Sequence, residues 1–98
     1  MIVKIIIRRT VPRDKAKKLI PLIRQLRILA TNQKGYISGE TLKSLDIPDS
    51  FLVISNWRSP EDWEKWLLSD ERQEIQKKVD ALLGGNTEHE MFHYGLSG

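Results

Sequence analysis

The sequence predicts an α+β fold of the ferredoxin-like kind: a four-stranded antiparallel sheet in β-α-β-β-α-β order, covered by helices on one face and paired into a dimeric α/β barrel. Three observations predict it. Stretches with strand character fall at 2–9, 36–45, 51–57 and 88–94, and helical apolar stripes fill the two long intervals between the first and second and the third and fourth. Finally, Val, Ile and Leu occupy both faces of the first and third strands, so a sheet face without helices still needs a cover.

Residues 2–9, IVKIIIRR, place Val3, Ile5 and Ile7 on one face and Ile2 and Ile6 on the other. Pro12 and Arg13 then open a helical stretch in which Ala16, Leu19, Ile20, Ile23, Leu26 and Ala30 form a core-facing stripe. Lys17, Arg24 and Thr31 lie opposite, with Ile28 among them as a scattered apolar residue or a subunit contact. Pro21 lacks a backbone donor and crowds the preceding turn, so a kink or a break into two pieces is expected there.

Asn32 to Gly35 ends the helix, and 36–45 alternates as a second strand, with Gly39 marking a bulge or a close backbone approach. After a turn at 46–50, residues 51–57, FLVISNW, form the third strand. Phe51, Val53, Ser55 and Trp57 share one side, and Leu52, Ile54 and Asn56 the other. Ser59-Pro60-Glu61-Asp62 is a helix opening: a hydroxyl N-cap, proline at the first position, and carboxylates at the positive end of the dipole. That short helix carries Trp63, Trp66 and Leu67 on one face. A second start near Ser69-Asp70 leads into 71–83, with Ile75, Val79, Leu82 and Leu83 apolar, and Gly84-Gly85 ends it. Residues 88–94 form the fourth strand, with His89, Met91 and His93 on one side and Glu90, Phe92 and Tyr94 on the other.

At 98 residues and 40% hydrophobic content the chain reads as one domain over residues 1–98 with a single core. A domain this small buries only roughly two-thirds of its unfolded surface, so a homodimer is the natural source of further burial. Without cysteine there is no disulfide, thiolate metal site or nucleophilic thiol, which is compatible with a reducing cytoplasm. No apolar run approaches the ~20 residues of a membrane span, and the charges after the opening MIVKIII follow the apolar stretch rather than precede it, the reverse of a secretory signal. A cytoplasmic location is expected. The net charge of +3 hides a split: residues 1–34 are basic apart from Asp14, whereas acids outnumber bases over 35–98. Such a split can mark a nucleic-acid surface, but attraction between parts of the fold or between subunits is the favoured reading.

No nucleophile elbow, phosphate-binding glycine loop or H-E-x-x-H motif is present. His89 and His93 stand about 13 Å apart along one strand at ~3.3 Å per residue, too far to share an ion, so no metal is expected from this pair. Trp57, Trp63 and Trp66 supply a large flat apolar surface with indole donors, which serves a core or a pocket equally well. Glu61, Asp62 and Glu64 read as the charged first turn of a capped helix rather than as catalysts.

The run W-R-S-P-E-D-W-E-K-W-L-L-S-D from Trp57 to Asp70, preceded by Gly35-Tyr36-Ile37-Ser38-Gly39-Glu40-Thr41, resembles the antibiotic-biosynthesis monooxygenase family over nearly the whole chain. The resemblance implies a dimeric α/β barrel and one of several activities. The haem-degrading branch uses an Asn on strand one, a Trp in the helix after strand three and a His ten residues beyond. Of these only Trp66 is matched, since Ile5-Ile6-Ile7 offers no amide and Gln76 stands at the His position. The resemblance therefore implies the cofactor-independent branch, with molecular oxygen as co-substrate, no bound cofactor and a small phenolic, anthrone or quinol-type aromatic as substrate. Asn56, Trp66 and His93 are the implied catalytic residues, as donors to an oxyanion and as base. Tyr36, Trp57, Trp63 and Gln76 are the implied substrate contacts. A non-catalytic ligand-binding or stress-related dimer on the same fold is the alternative.

Overall fold

The computed structural model describes residues 1–85 and 87–94. Its elements are β1 (Val3–Thr10), α1 (Ala16–Thr31), β2 (Tyr36–Lys43), β3 (Ser50–Trp57), α2 (Pro60–Leu68), α3 (Asp70–Leu83) and β4 (His89–His93). The sheet is antiparallel in the order β2-β3-β1-β4, so β1 and β3 are central, the two strands richest in β-branched and apolar residues. This is the expected ferredoxin-like α+β fold, with its second helix divided in two.

Strand pairing settles which side chains share a face. Val3, Ile5 and Ile7 oppose Trp57, Ser55 and Val53 across β1 and β3. On this face Val3, Ile5, Ile7 and Trp57 are buried with Leu19 and Leu26 of α1, Trp63 and Trp66 of α2, and Ile75 and Val79 of α3. Trp57 and Trp63 meet edge to face, with centroids 5.7 Å apart. Each ring removes on the order of 150–250 Å² from water, roughly 4–6 kcal/mol of gross transfer energy before entropy is counted. The other face carries Ile6, Leu52 and Ile54, with Leu42 and Phe92 at its margins, and these stay partly or largely exposed in one chain. Within one chain the helix side of β1 and β3 is buried as expected, and the cover expected for the other face is a second subunit.

Local signals act as the sequence implies at α2 and α3. Ser59 accepts a hydrogen bond from the Asp62 amide (3.1 Å), and Ser69, in extended conformation, ends α2 and caps α3 by accepting from the Arg72 amide (3.3 Å). Gly84 adopts φ 74° and donates to the Asp80 carbonyl, closing α3 in the left-handed turn that glycine permits.

Other expectations need correcting. Pro21 neither breaks α1 nor divides it: the helix runs unbroken from Ala16 to Thr31. Pro21 lies early in the helix on its exposed side, so one lost amide bond is tolerated while Leu19 and Leu26 hold the buried side. The second strand stops at Lys43, because the Ser44 hydroxyl accepts from the amides of Asp46 and Ile47 and turns the chain. The bulge lies between Tyr36 and Ser38, before Gly39. Gly39 is instead a close approach, since a Cβ there would stand 2.5 Å from the Tyr36 hydroxyl.

Candidate active site

Between the helix side of the sheet and helices α1 to α3 lies a cavity of about 60 Å³, walled by Tyr36, Trp57, Trp63, Trp66, Ile7 and Val53. β2 brings Tyr36 to its place, where the phenol ring meets Trp57 edge to face at 5.4 Å and its hydroxyl reaches over the bare backbone of Gly39. β3 supplies Trp57, whose indole donates to Ser55 Oγ (3.0 Å). α2 presents Trp63 and Trp66 one turn apart, both almost fully buried.

The polar part of the wall is cationic. Arg9, Arg27 and Arg72 border the cavity, and among the described residues no Asp or Glu does. Arg9 and Arg72 are buried, and the Arg72 guanidinium lies 5.5 Å from the Trp63 ring centre, within cation–π range. Burial, the charge of Arg9 and a partly offsetting Asp80 leave Arg72 lowered to about 10. Burial likewise lowers Arg9, against an upward pull from Asp80. Among the described residues, the buried nitrogens Arg9 Nε and Trp63 Nε1 have no hydrogen-bond partner. Arg27 sits further out, donating to Thr41 Oγ1 (2.7 Å) and tying α1 to β2 beside the cavity.

Behind Arg9 and Arg72 runs a polar cluster. Asp80 Oδ1 accepts from Gln76 Nε2 (2.9 Å), from the Thr87 hydroxyl (2.9 Å) and from the Thr87 amide (3.2 Å). Thr87 Oγ1 also receives Gln76 Nε2 (2.6 Å) and Arg9 Nη1 (3.5 Å).

The cavity thus gathers Tyr36, Trp57, Trp63 and Trp66, but it does not gather the other three residues singled out in the sequence. Asn56 lies on the opposite face of the sheet, donating to Ser38 Oγ (3.0 Å), because strand alternation turns it away from Trp57. His93 pairs with Val3 in β4 and is exposed. Gln76 is buried outside the cavity wall, its Nε2 donating to Asp80 and Thr87 while its Oε1 has no partner among the described residues. Lying outside the cavity wall, and with a neutral amide that is a poor iron ligand, it does not fit a haem as axial ligand. His89 comes nearer than His93: its ring meets Trp63 edge to face at 5.3 Å, and burial together with the Arg72 charge lowers its pKa. Among the described residues, no three His, Cys, Asp or Glu side chains come together as a metal set. No helix of the described chain is long and apolar enough to cross a membrane.

A second space, about 570 Å³, lies beside β1 and β4 among Ile6, Arg8, Thr87, Glu88, His89 and Glu90. It mixes both signs of charge and Ile6 is its one apolar side chain, so the aromatic cavity is the better site for an aromatic ligand.

Sequence reading missed Arg9 and Arg72. Both were legible by position: Arg9 continues the Val3, Ile5, Ile7 parity of β1, and Arg72 lies three residues before Ile75 and seven before Val79 on the α3 stripe.

Solved structures share this architecture. A conserved protein of Methanosarcina mazei superposes with a TM-score of 0.84 at 17% identity, covering 95% of this chain and 92% of that one. SnoaB, a cofactor-independent oxygenase from Streptomyces nogalater, gives 0.82 at 18% identity over 98% and 95%. A Mycobacterium tuberculosis protein gives 0.84 at 17% identity over 100% and 98%. No curated protein matches the sequence. The family model described as antibiotic biosynthesis monooxygenase matches residues 2–78, which spans β1 to the middle of α3 and every aromatic wall of the cavity. The chain belongs to the antibiotic biosynthesis monooxygenase family.

Proposed function

We propose that the protein is a cofactor-independent monooxygenase that oxidises a small phenolic, anthrone or quinol-type aromatic with molecular oxygen, as a cytoplasmic homodimer formed from single domains spanning residues 1–98. The observation that carries this reading is the cavity itself: an aromatic wall of Tyr36, Trp57, Trp63 and Trp66 bordered by cations and, among the described residues, by no acid. SnoaB, described as a cofactor-independent oxygenase, supports it as a fold relative.

The chemistry asks little of the protein. A phenol whose oxygen meets a buried guanidinium ionises more readily, because the charged form gains a cation in a poorly solvated site. Arg72 then takes the part that a dedicated base would otherwise play, and water carries off the proton. Trp66 and Tyr36 orient the ring and donate toward the oxyanion. The electron-rich anion passes one electron to O2, and the radical pair combines at carbon to give a peroxide. Loss of water from it leaves a carbonyl, so one oxygen atom ends in the product and the other in water, with the substrate supplying both electrons. The helix-free sheet face with Ile6, Leu52 and Ile54 is the proposed dimer seam, and Asn56 lies on it.

Oxygen uptake with an anthrone or a reduced naphthoquinone tests the reading. Trp66→Phe, which keeps the ring and removes the indole donor, should slow uptake about tenfold, the worth of one lost hydrogen bond. Uptake no faster than the protein-free blank across both substrates rejects it in favour of a non-catalytic ligand-binding dimer.

A further inference from the structure

We infer that the natural substrate is a hydroxyaromatic carboxylate rather than a neutral phenol, its carboxylate received by Arg72 with Arg9 behind it. The inference rests on the reading of the cavity as the active site and narrows its substrate class. Two guanidinium groups, on Arg9 and Arg72, are buried beside one aromatic cavity, near enough that the charge of Arg9 acts on Arg72. The acid whose charge both feel is Asp80. Its Oδ1 is already occupied by Gln76 and Thr87, and it is not part of the cavity wall. One buried positive charge is thus left without a matching acid at the cavity. An unpaired buried charge is costly unless a counter-ion completes it.

The donors are also of one kind. Among the described residues, Arg9 Nε and Trp63 Nε1 are buried without partners, in side chains more than nine-tenths buried, and both belong to the cavity wall. Guanidinium groups can donate only, and their planar fork matches a carboxylate in a bidentate pair. The Trp63 face on which Arg72 rests fixes that fork against a flat ring, so an aromatic bearing its carboxylate at the ring edge can stack along the tryptophans and reach the cation together. A phenol without the carboxylate would meet the fork through one oxygen rather than two.

The test is an anaerobic titration of tryptophan fluorescence with 1,4-dihydroxy-2-naphthoate and, in parallel, 1,4-dihydroxynaphthalene, which lacks only the carboxylate. The wild-type protein should bind the carboxylate at least about tenfold more tightly, the lower end for a charge-assisted contact. Arg72→Gln should weaken binding of the carboxylate by more than it weakens binding of dihydroxynaphthalene, erasing most of that preference, and Arg72→Lys should keep part of it. Wild-type protein with no preference, including failure to bind either compound, overturns the inference whatever the variants do, so a variant that fails to fold does not shield it. A preference that survives intact in a folded Arg72→Gln protein also overturns it. Admitting oxygen afterwards separates this from the oxygenase reading. Carboxylate preference without oxygen uptake upholds the anion site and removes the oxygenase, whereas uptake on dihydroxynaphthalene with no carboxylate preference does the reverse.

Discussion

Removing the Asp80 side chain should be among the most damaging single changes in this protein. Asp80 Oδ1 collects three donors, from Gln76 and twice from Thr87, and its charge offsets part of the cost of burying Arg9 and Arg72. In Asp80→Ala the Gln76 amide and the Thr87 hydroxyl and amide lose their shared acceptor, and two buried cations lose their compensating acid. Breaking such an arrangement costs about 3–5 kcal/mol, out of a total of about 5–15 kcal/mol for a domain. Since Asp80 is half-exposed, water takes over some of the lost contacts and about 3 kcal/mol is the better figure. For a chain of this length that lowers Tm by about 12–24 °C. Asp80→Asn keeps an acceptor at Oδ1 and removes only the charge, so it should cost about half as much. Thermal unfolding by circular dichroism at one fixed protein concentration measures both, the concentration being held because dimerisation shifts Tm. If Asp80→Ala melts within about 3 °C of the parent, less than 1 kcal/mol on the same scale, the polar cluster is not a stabilising element.

Stability should rise with pH through the histidine range, in part from His89. Its folded pKa is lowered by burial and Arg72, so between that value and about 6.5 the unfolded chain binds more protons than the fold. The contribution is complete above the unfolded value and lost as pH falls to the folded one. Tm measured at acid and neutral pH should therefore fall less on acidification in His89→Gln than in the parent, and an equal fall contradicts this. Ser59→Ala removes the acceptor for the Asp62 amide and should cost about 1 kcal/mol, or about 4–8 °C, by the same melt. Ile54→Glu places a charge at the centre of the helix-free face and should convert a dimer to a monomer by light scattering; a parent protein that is itself monomeric removes the proposed seam.

Element order and helix division were legible because their signals are local: β-branched alternation for β1 and β3, and the Ser-Pro-Glu-Asp and Ser-Asp starts for α2 and α3. Pro21 does not break α1 although it lies inside it, because its ring faces outward and one amide bond is lost while Leu19 and Leu26 hold the buried side. The site was half-legible. The tryptophans and Tyr36 announce themselves by size, but the arginines look like solvated charge until the parity of β1 and the stripe of α3 are applied to them as strictly as to valine and isoleucine. Asn56 shows the converse. Its polarity drew attention, although the alternation that sends Trp57 into the helix layer sends Asn56 out the other side. The histidines depend on where β4 lies across the sheet, which follows from pairing with β1 and not from β4 itself.

Isotopic labelling bears most directly on oxygen insertion without a bound cofactor. The purified protein, treated with a chelator and checked for the absence of any chromophore, is given an anthrone or hydroxyaromatic carboxylate under 18O2. A quinone carrying a single labelled oxygen, formed faster than in the blank and slowed in Trp66→Phe, is the outcome expected of the cavity described. Product formed at the blank rate, or formed only after haem, flavin or metal is restored, contradicts it.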